Sequence, residues 1–291
     1  MAVTAALQHR AEQLAAALPP LLIAAERVAA TVAQGVHGRR RVGQGETFWQ
    51  FRQYQPGDPV PRIDWRESAK SQRLYVRETE WEAAQSVWLW RDSSASMDYT
   101  SAPTLATKRR RADILVLALA ALLVRGGERV ALLGSGVPPA SGRAVLNRLA
   151  LTLERPAPGA NLPDFEPLPR YGQLVMAGDL LAPLEEIHKV VGRFAANGLR
   201  GHLLQVLDPA EETLPFMGRV RFEGFEQEDP LLISRVETVR EDYHRRLAQQ
   251  REGLAAIARS TGWSFGMHRT DRPPHTALLA LYGALAEPRR R

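Results

Sequence analysis

At 291 residues and 45% hydrophobic content, the chain is long enough for a packed core and suits one large domain or a domain with an elaboration. It contains no cysteine, which excludes disulfides, thiolate zinc sites and cysteine nucleophiles and fits a reducing compartment. The balance of 38 basic against 32 acidic residues leaves a formal charge of +6, concentrated in two runs, Arg39-Arg40-Arg41 and Lys108-Arg109-Arg110-Arg111. Neither run is interleaved with aromatic residues, as a stacking surface for nucleic acid requires, so both are expected to be solvated faces or salt-bridge partners.

Residues 4–34 read as helix, with Leu7, Ala11, Leu14 and Ala15 on one face and a break at Pro19-Pro20. The apolar stretch 18–30 carries Glu26-Arg27 and is too short and too charged to span a bilayer. No basic segment leads into an apolar run with a cleavage site, so no signal peptide and a cytoplasmic location are expected. Between Gly35 and Glu82, Gly, Pro, Arg and aromatics alternate without helical period, and Leu74-Tyr75-Val76 looks like a strand. From Ser86 onward strands and helices alternate. Strands are expected at 87–90, 129–133, 173–177, 201–207, 219–222 and 263–268. Helices are expected at 105–125, 143–153, 184–196, 234–260 and 276–286. This alternation implies an α/β fold, a mainly parallel sheet with helices on both faces. The chain therefore divides into a helical segment (1–34), a β-rich elaboration (35–84) and an α/β domain (85–291).

Ligands of such sheets sit beyond the carboxyl ends of the strands. Asp92, Asp179, Asp208 and His268 all fall there. The first strand runs into Asp92-Ser93-Ser94-Ala95-Ser96, where one carboxylate and two hydroxyls share a tight turn. Hard oxygen ligands of this kind suit a small divalent cation such as Mg²⁺. Capping of the following helix is the plainer use of the same residues. The histidines His37, His202 and His268 have no ligand-pair spacing and read as surface or sheet-end residues. Glu211-Glu212 and the segment 223–229 form an acidic cluster, readable as a solvated loop or as bait for a basic partner. There is no Gly-x-Ser-x-Gly elbow and no Gly-x₄-Gly-Lys-Ser/Thr loop, so neither a serine hydrolase nor an ATPase of that kind is expected.

Asp92, Ser94, Ser96 and the later Asp179 resemble the metal-ion-dependent adhesion site of von Willebrand factor A domains. In that family a Thr from a middle loop completes the ligand set, and an acidic residue of a partner fills the open position on the metal. Here the loop reads Pro158-Gly159-Ala160-Asn161-Leu162, so Asn161, with an amide oxygen, stands where the hydroxyl is expected. A wider set of segments resembles the bacterial DUF58 family. These are Gly38 to Glu46, Phe51-Arg52-Gln53-Tyr54, Pro56-Gly57-Asp58, Arg62-Ile63-Asp64-Trp65-Arg66, Val76-Arg77-Glu78 and Trp81-Glu82, followed by the Asp-x-Ser-x-Ser turn. Leu207-Asp208-Pro209 with Glu211, and Thr270-Asp271, continue the likeness.

The DUF58 resemblance implies a von Willebrand A-like, Rossmann-type sheet with an upstream β-rich segment. It also implies association with MoxR-type AAA+ ATPases. The expected function is a non-enzymatic protein–protein interaction domain that uses a degenerate adhesion site, with or without Mg²⁺, to grip an acidic residue of a MoxR-type ATPase or its client. Asp58, Arg62, Asp64 and Trp65 are expected to frame a partner groove; the plainer structural reading has Trp65 anchoring the β-rich segment on the main sheet and Asp64 and Glu67 paired to Arg62, Arg66 or Arg73. Two alternatives stay open: a Mg²⁺-dependent hydrolase at the same sheet end, and a nucleic-acid binder using the basic runs.

Overall fold

The computed structural model describes residues 41–43, 47–55, 58, 60–71, 73–81, 85–155, 159–225 and 229–286. The helical segment expected over 1–34, His37, Arg39, Arg40 and Gly57 lie outside the described residues. Two compact units divide the described chain, one over 41–81 and one over 85–286.

In the first unit, β1 (Arg41–Gly43), β2 (Thr47–Gln53) and β3 (Tyr75–Trp81) form an antiparallel sheet in the order β1-β3-β2, with a register shift between Phe48 and Gln50. A 3₁₀ turn at Val60–Arg62 and the single-turn helix α1 (Trp65–Ser68) fill the connection between β2 and β3. Asp64 caps that helix, its Oδ1 accepting from the Glu67 amide at 2.9 Å. Ser68 ties the helix to the sheet by donating its hydroxyl to the Asp64 carbonyl (2.7 Å) and accepting the Tyr75 amide (2.8 Å). Ile63 bridges to Val76, and both are buried.

The second unit carries the expected alternation. Its elements are β4 (Ser86–Arg91), α2 (Lys108–Arg125), β5 (Arg129–Leu132), α3 (Arg143–Glu154), β6 (Gln173–Gly178), α4 (Leu184–Ala196), β7 (Arg200–Leu207) and α5 (Pro209–Thr213). There follow the antiparallel hairpin of β8 (Val220–Phe222) and β9 (Leu231–Ile233), then α6 (Arg240–Thr261), β10 (Ser264–Arg269) and α7 (Pro274–Ala286). Five strands pair in parallel in the order β10-β7-β6-β4-β5. Side chains alternate across this sheet. Val87 and Leu89 of β4 join a core with α2, α3 and α7, while Trp88 and Trp90 join a second core with α4 and α6. Both faces are thus covered, which is why the strands read as continuous apolar runs rather than alternating ones.

The strand order places β5 on one side of β4 and β6 on the other. The winding direction reverses there, so a crevice is expected beyond the carboxyl ends of β4 and β6. Asp92 follows β4 directly, and Asp179 follows β6 directly.

Some boundaries differ from the sequence expectation for local reasons. The helix expected over 105–125 starts at Lys108 because Thr107 caps it, accepting the Arg110 amide at 3.1 Å. The helix expected over 234–260 starts at Arg240, the preceding residues forming β9 and a 3₁₀ turn. Helix α5 was not expected; a capping box between Asp208 and Glu211, with Pro209 at its first position, builds it. Among the described residues, no helix is long and apolar enough to cross a membrane.

Candidate functional site at the sheet edge

The turn after β4 is held from several sides. The Asp92 amide continues the sheet by donating to the Ala177 carbonyl at 2.8 Å. Arg91, in an ion pair with the buried Asp113 at 2.9 Å, donates to the Asp92 carbonyl at 3.2 Å. Arg109 donates to the Ser93 and Ser94 carbonyls at 3.3 and 3.1 Å and is paired with Asp98. A chain position this constrained presents its side chains in one arrangement.

Asp92 is fully buried. Its Oδ1 accepts both the amide (2.8 Å) and the hydroxyl (2.6 Å) of Ser94, while its Oδ2 is buried and has no hydrogen-bond partner among the described residues. Ser94 Oγ lies 3.0 Å from Ser96 Oγ, and the Ser96 hydroxyl donates to Asp179 Oδ2 at 2.7 Å. The two strand ends that the sequence places on one edge therefore meet through a chain of two hydroxyls. Past Asp179 the backbone turns sharply through the buried Leu180 at φ 51°, and the Leu181 amide donates to Asp179 Oδ1 at 3.3 Å.

Close approach of the two strand ends depends on Gly178. A Cβ there would stand 2.6 Å from Asp92 Cβ and 2.9 Å from Asp92 Oδ2. Gly178→Ala is therefore expected to displace the Asp92 carboxylate and to lower stability by about 1–3 kcal/mol, as overpacking does. Urea unfolding of the two proteins measures it, and an unchanged midpoint would mean that the turn has room to spare.

The sequence reading missed two members of the cluster. Lys108, in a run read only as solvated or salt-bridged, is fully buried. Its ammonium donates to Asp179 Oδ2 at 2.9 Å and to Glu211 Oε1 at 2.6 Å. Glu211, read as part of a solvated acidic loop, is fixed by the α5 capping box, its Oε2 accepting the Asp208 amide at 2.8 Å. Tyr243 donates to the Glu211 carbonyl. Asp208 is itself buried and serves as a cap, accepting from the Ala210 and Ser101 amides at 2.8 and 3.0 Å. Gln205 steadies the Asp179 carbonyl from β7 at 2.9 Å. The signal for Lys108 was Thr107: a helix following β4 begins near the edge where β4 ends, so its first residue belongs at that edge.

Charge in the cluster is unbalanced. Asp92, Asp179 and Glu211 supply three carboxylates against the one ammonium of Lys108. Burial first, and the neighbouring Asp179 second, push the Asp92 carboxyl up to about 6, against the hydrogen bonds from Ser94 and the charge of Lys108. Burial pulls the Lys108 ammonium down, but Asp179 and Glu211 together outweigh it, and it is held above the ordinary lysine value. Burial raises the Glu211 carboxyl, with Lys108 opposing. The oxygens gathered here, two carboxylates and two hydroxyls, are of the hard class that small divalent cations take, and among them Asp92 Oδ2 is the one without a partner among the described residues. Among the described residues no group of three or more His, Asp or Glu side chains forms a metal cluster, so any cation held here would keep several waters.

Asn161 stands beside the turn without joining it. The loop it belongs to is docked on Ser93, whose amide donates to the Ala160 carbonyl at 3.1 Å and whose hydroxyl accepts the Ala160 amide at 3.2 Å. Asn161 is exposed and makes no hydrogen bond to the cluster among the described residues.

The four residues expected to frame a partner groove belong to the 41–81 unit. Two have carboxylates engaged in local structure: Asp58 pairs with Arg52 at 2.8 Å and accepts the Gln55 amide at 2.8 Å, and Asp64 is the α1 cap. Glu67 pairs with Lys70 at 2.7 Å, its i,i+3 neighbour on the same helical turn. Trp65 is 62% exposed, so its ring is not a buried anchor. The backbone of Arg62 ends the 3₁₀ turn; its side chain lies outside the description.

Burial decides between the other sequence expectations. Of the two roles expected for the second basic run, salt-bridge partner holds for Lys108 and Arg109, while Arg111 donates to the Thr270 carbonyl at 2.6 Å and Arg110 is exposed. Glu212 pairs with Arg251 and Arg269 at 2.8 and 3.2 Å instead of lying in a solvated loop. His202 is buried within β7 with its Nδ1 2.7 Å from Ser264 Oγ.

Comparison with known proteins gives relatives of the same length class. The chain is 29% identical over 276 residues to the uncharacterized protein Rv1480 of Mycobacterium tuberculosis and, equally, to the uncharacterized protein Mb1516 of Mycobacterium bovis, covering 89% of this chain and 86% of each relative. Among solved structures it is similar to an aerotolerance-related membrane protein from Bacteroides fragilis, at 16% identity and a TM-score of 0.43, covering 69% of this chain and 98% of that one. It is also similar to the conserved hypothetical protein BatB from Bacteroides thetaiotaomicron, at 12% identity and a TM-score of 0.42, covering 70% and 99%. The family described as "Protein of unknown function DUF58" matches residues 50–253, well over half of the sequence, and the chain belongs to that family.

Proposed function

We propose that this protein is a non-enzymatic protein–protein interaction domain of the von Willebrand A kind, whose sheet edge at Asp92, Ser94, Ser96 and Asp179 holds Mg²⁺ and grips an acidic residue of its partner. The observation that carries this reading is the buried Asp92 carboxylate with one oxygen unpaired, joined to Asp179 through two hydroxyls. A buried carboxylate oxygen without a partner is costly, and a cation removes that cost. The surplus of carboxylates over the single ammonium has the sign and size a divalent ion would offset. The bound ion would supply an open coordination position, and Asp92 and Asp179 would hold it from two strands.

The surroundings suit a protein partner. Leu181, two residues past Asp179, is 47% exposed, and the exposed Phe225 meets Tyr99 edge-on at 6.2 Å, adding apolar area around a charged centre. A MoxR-type AAA+ ATPase or its client is the partner this reading assigns, on the strength of the family resemblance.

Calorimetric titration with Mg²⁺ and Mn²⁺ tests the cation. The wild-type chain is expected to bind one ion and Asp92→Ala none. Heat that is identical in the two proteins would place the ion elsewhere, and no heat in the wild type would leave the reading without its cation. Pull-down of the ATPase with and without chelator tests the grip. Full capture by Asp92→Ala in chelator would count against it, and metal-dependent turnover of generic phosphoesters abolished by Asp179→Ala would favour the hydrolase instead.

A further inference from the structure

A cavity of about 270 Å³ lies at the carboxyl ends of β7 and β10, lined by Arg251, Arg269, Arg272, Glu212, His268 and Met267 among others. Three guanidiniums thus face a single carboxylate in its lining. Glu212 bridges Arg251 and Arg269, and Arg269 is also clamped by Asp271 at 2.6 Å. Arg251 further donates through Nε to Gln205 at 3.2 Å. Those bonds leave Arg251 Nη1 unused. Arg272 is exposed and has no ion-pair or side-chain hydrogen-bond partner among the described residues. His268, 6% exposed, has its Nε2 buried and likewise without a partner. Its ring shares a sheet face with Val206, in the core packed by α2 and α7, and lies beside Arg111, so it does not join Arg251 and Arg269 on the α6 face.

We propose that this cavity is an oxyanion site that takes a phosphoryl group, as free phosphate or as a small phosphate monoester. The donors left over are Arg251 Nη1 from α6 and Arg272 from the turn after β10, so they reach the cavity from two separate elements. A carboxylate has two coplanar oxygens, and Glu212 already fills that role for Arg251 and Arg269. A phosphoryl group presents three oxygens and a charge of about −1.5 to −2, so it can engage both guanidiniums at once and meet their positive charge. The volume falls below the roughly 300–1,000 Å³ of sites for whole drug-sized ligands, so the cavity fits a group and a few attached atoms. Arginine rather than lysine at all three positions fits planar, multidentate recognition of such oxygens.

The site is distinct from the Asp92–Asp179 cluster but shares α5 with it: Glu211 faces Lys108 and the adjacent Glu212 faces this cavity. The inference does not rest on a metal being bound. Its test is calorimetric titration of the full chain, at constant ionic strength and in chelator, with inorganic phosphate, O-phosphoserine and malonate, on wild type and Arg272→Gln. Arg272 makes no ion pair or side-chain hydrogen bond among the described residues and its charge acts on the exposed Asp271 only at longer range, so the variant is expected to melt close to the wild-type temperature in phosphate-free buffer. Wild type is expected to bind phosphate or O-phosphoserine, and Arg272→Gln to bind about tenfold more weakly. Tighter binding of O-phosphoserine than of phosphate assigns the monoester, and the reverse assigns the free ion. Absence of binding by both, equal binding by the variant, or malonate binding as tightly as phosphate would each overturn the proposal.

Discussion

Lys108→Met is expected to lower stability by about 3–5 kcal/mol in chelator, the range for breaking a buried ion pair by removing one partner. The reason lies in what is left behind. Methionine fills most of the lysine volume, so packing changes little. The ammonium, however, is fully buried and bonded to Asp179 and Glu211 at once, and Ser96 is the remaining side-chain donor to Asp179 Oδ2. Without Lys108, Asp92, Asp179 and Glu211 face one another with no cation among them. The lysine also sits in the first turn of α2, where the helix dipole disfavours positive charge. Its position there is explicable only by the two carboxylates. The double variant Lys108→Met with Glu211→Gln is expected to recover part of the loss, because it removes one unpaired charge. If the cluster holds Mg²⁺, the ion should raise the melting temperature of Lys108→Met by more than that of wild type, since it meets a more negative site. Urea unfolding with and without Mg²⁺ reads both effects. A loss below about 1 kcal/mol would show that the pair contributes no more than an exposed one.

The frame of the α/β unit was legible because its signals are local and repeated. Apolar runs such as 173–177, bounded by Gly172 and Gly178, read as buried strands, and 184–196 ended by Asn197-Gly198 reads as a helix with its stop. Parallel strands place all their carboxyl ends on one edge, so Asp92 and Asp179 were on one edge before any coordinates, and the structure joins them through Ser94 and Ser96. What composition concealed was burial of charge. Lys108 is the first letter of a four-residue basic run, and adjacency in sequence suggested a shared surface. On a helix, neighbours point about 100° apart, so Lys108 turns into the cluster while Arg110 is exposed and Arg109 reaches the turn. Glu211 and Glu212 were concealed for the same reason, one facing Lys108 and the other facing Arg251. Asp58 and Asp64, expected to frame a partner groove, have local roles in the structure. Their Gly-Asp and Ile-Asp-Trp contexts are specific, yet a turn and a helix cap account for their carboxylates.

Asp92→Asn is expected to leave the chelated protein as stable as wild type at pH 7, or more stable by up to about 3 kcal/mol, although it alters a fully buried residue. Burial and Asp179 lift the Asp92 carboxyl from 3.8 to about 6, and a lift of that size corresponds to about 3 kcal/mol. The folded protein holds this proton more tightly than the unfolded chain does. The contribution of Asp92 is therefore neutral below the unfolded value of 3.8. It turns unfavourable as pH rises from 3.8 to about 6 and stays so above that. Asparagine is uncharged throughout, and its amide oxygen can keep both bonds from Ser94. The unpaired position now held by Oδ2 would carry an amide nitrogen, still unsatisfied but without charge, which limits the gain. The difference between the two proteins should shrink as pH is lowered from 7 toward 4. With Mg²⁺ the order should reverse, because an ion bound to the carboxylate stabilises wild type by mass action and finds no charge in Asp92→Asn. Melting curves of both proteins at pH 4, 5.5 and 7, in chelator and in Mg²⁺, decide this. A variant that unfolds markedly earlier than wild type at pH 7 in chelator would mean that the Asp92 charge supports the fold by itself. The site would then be a structural network around Lys108, with no need of a cation.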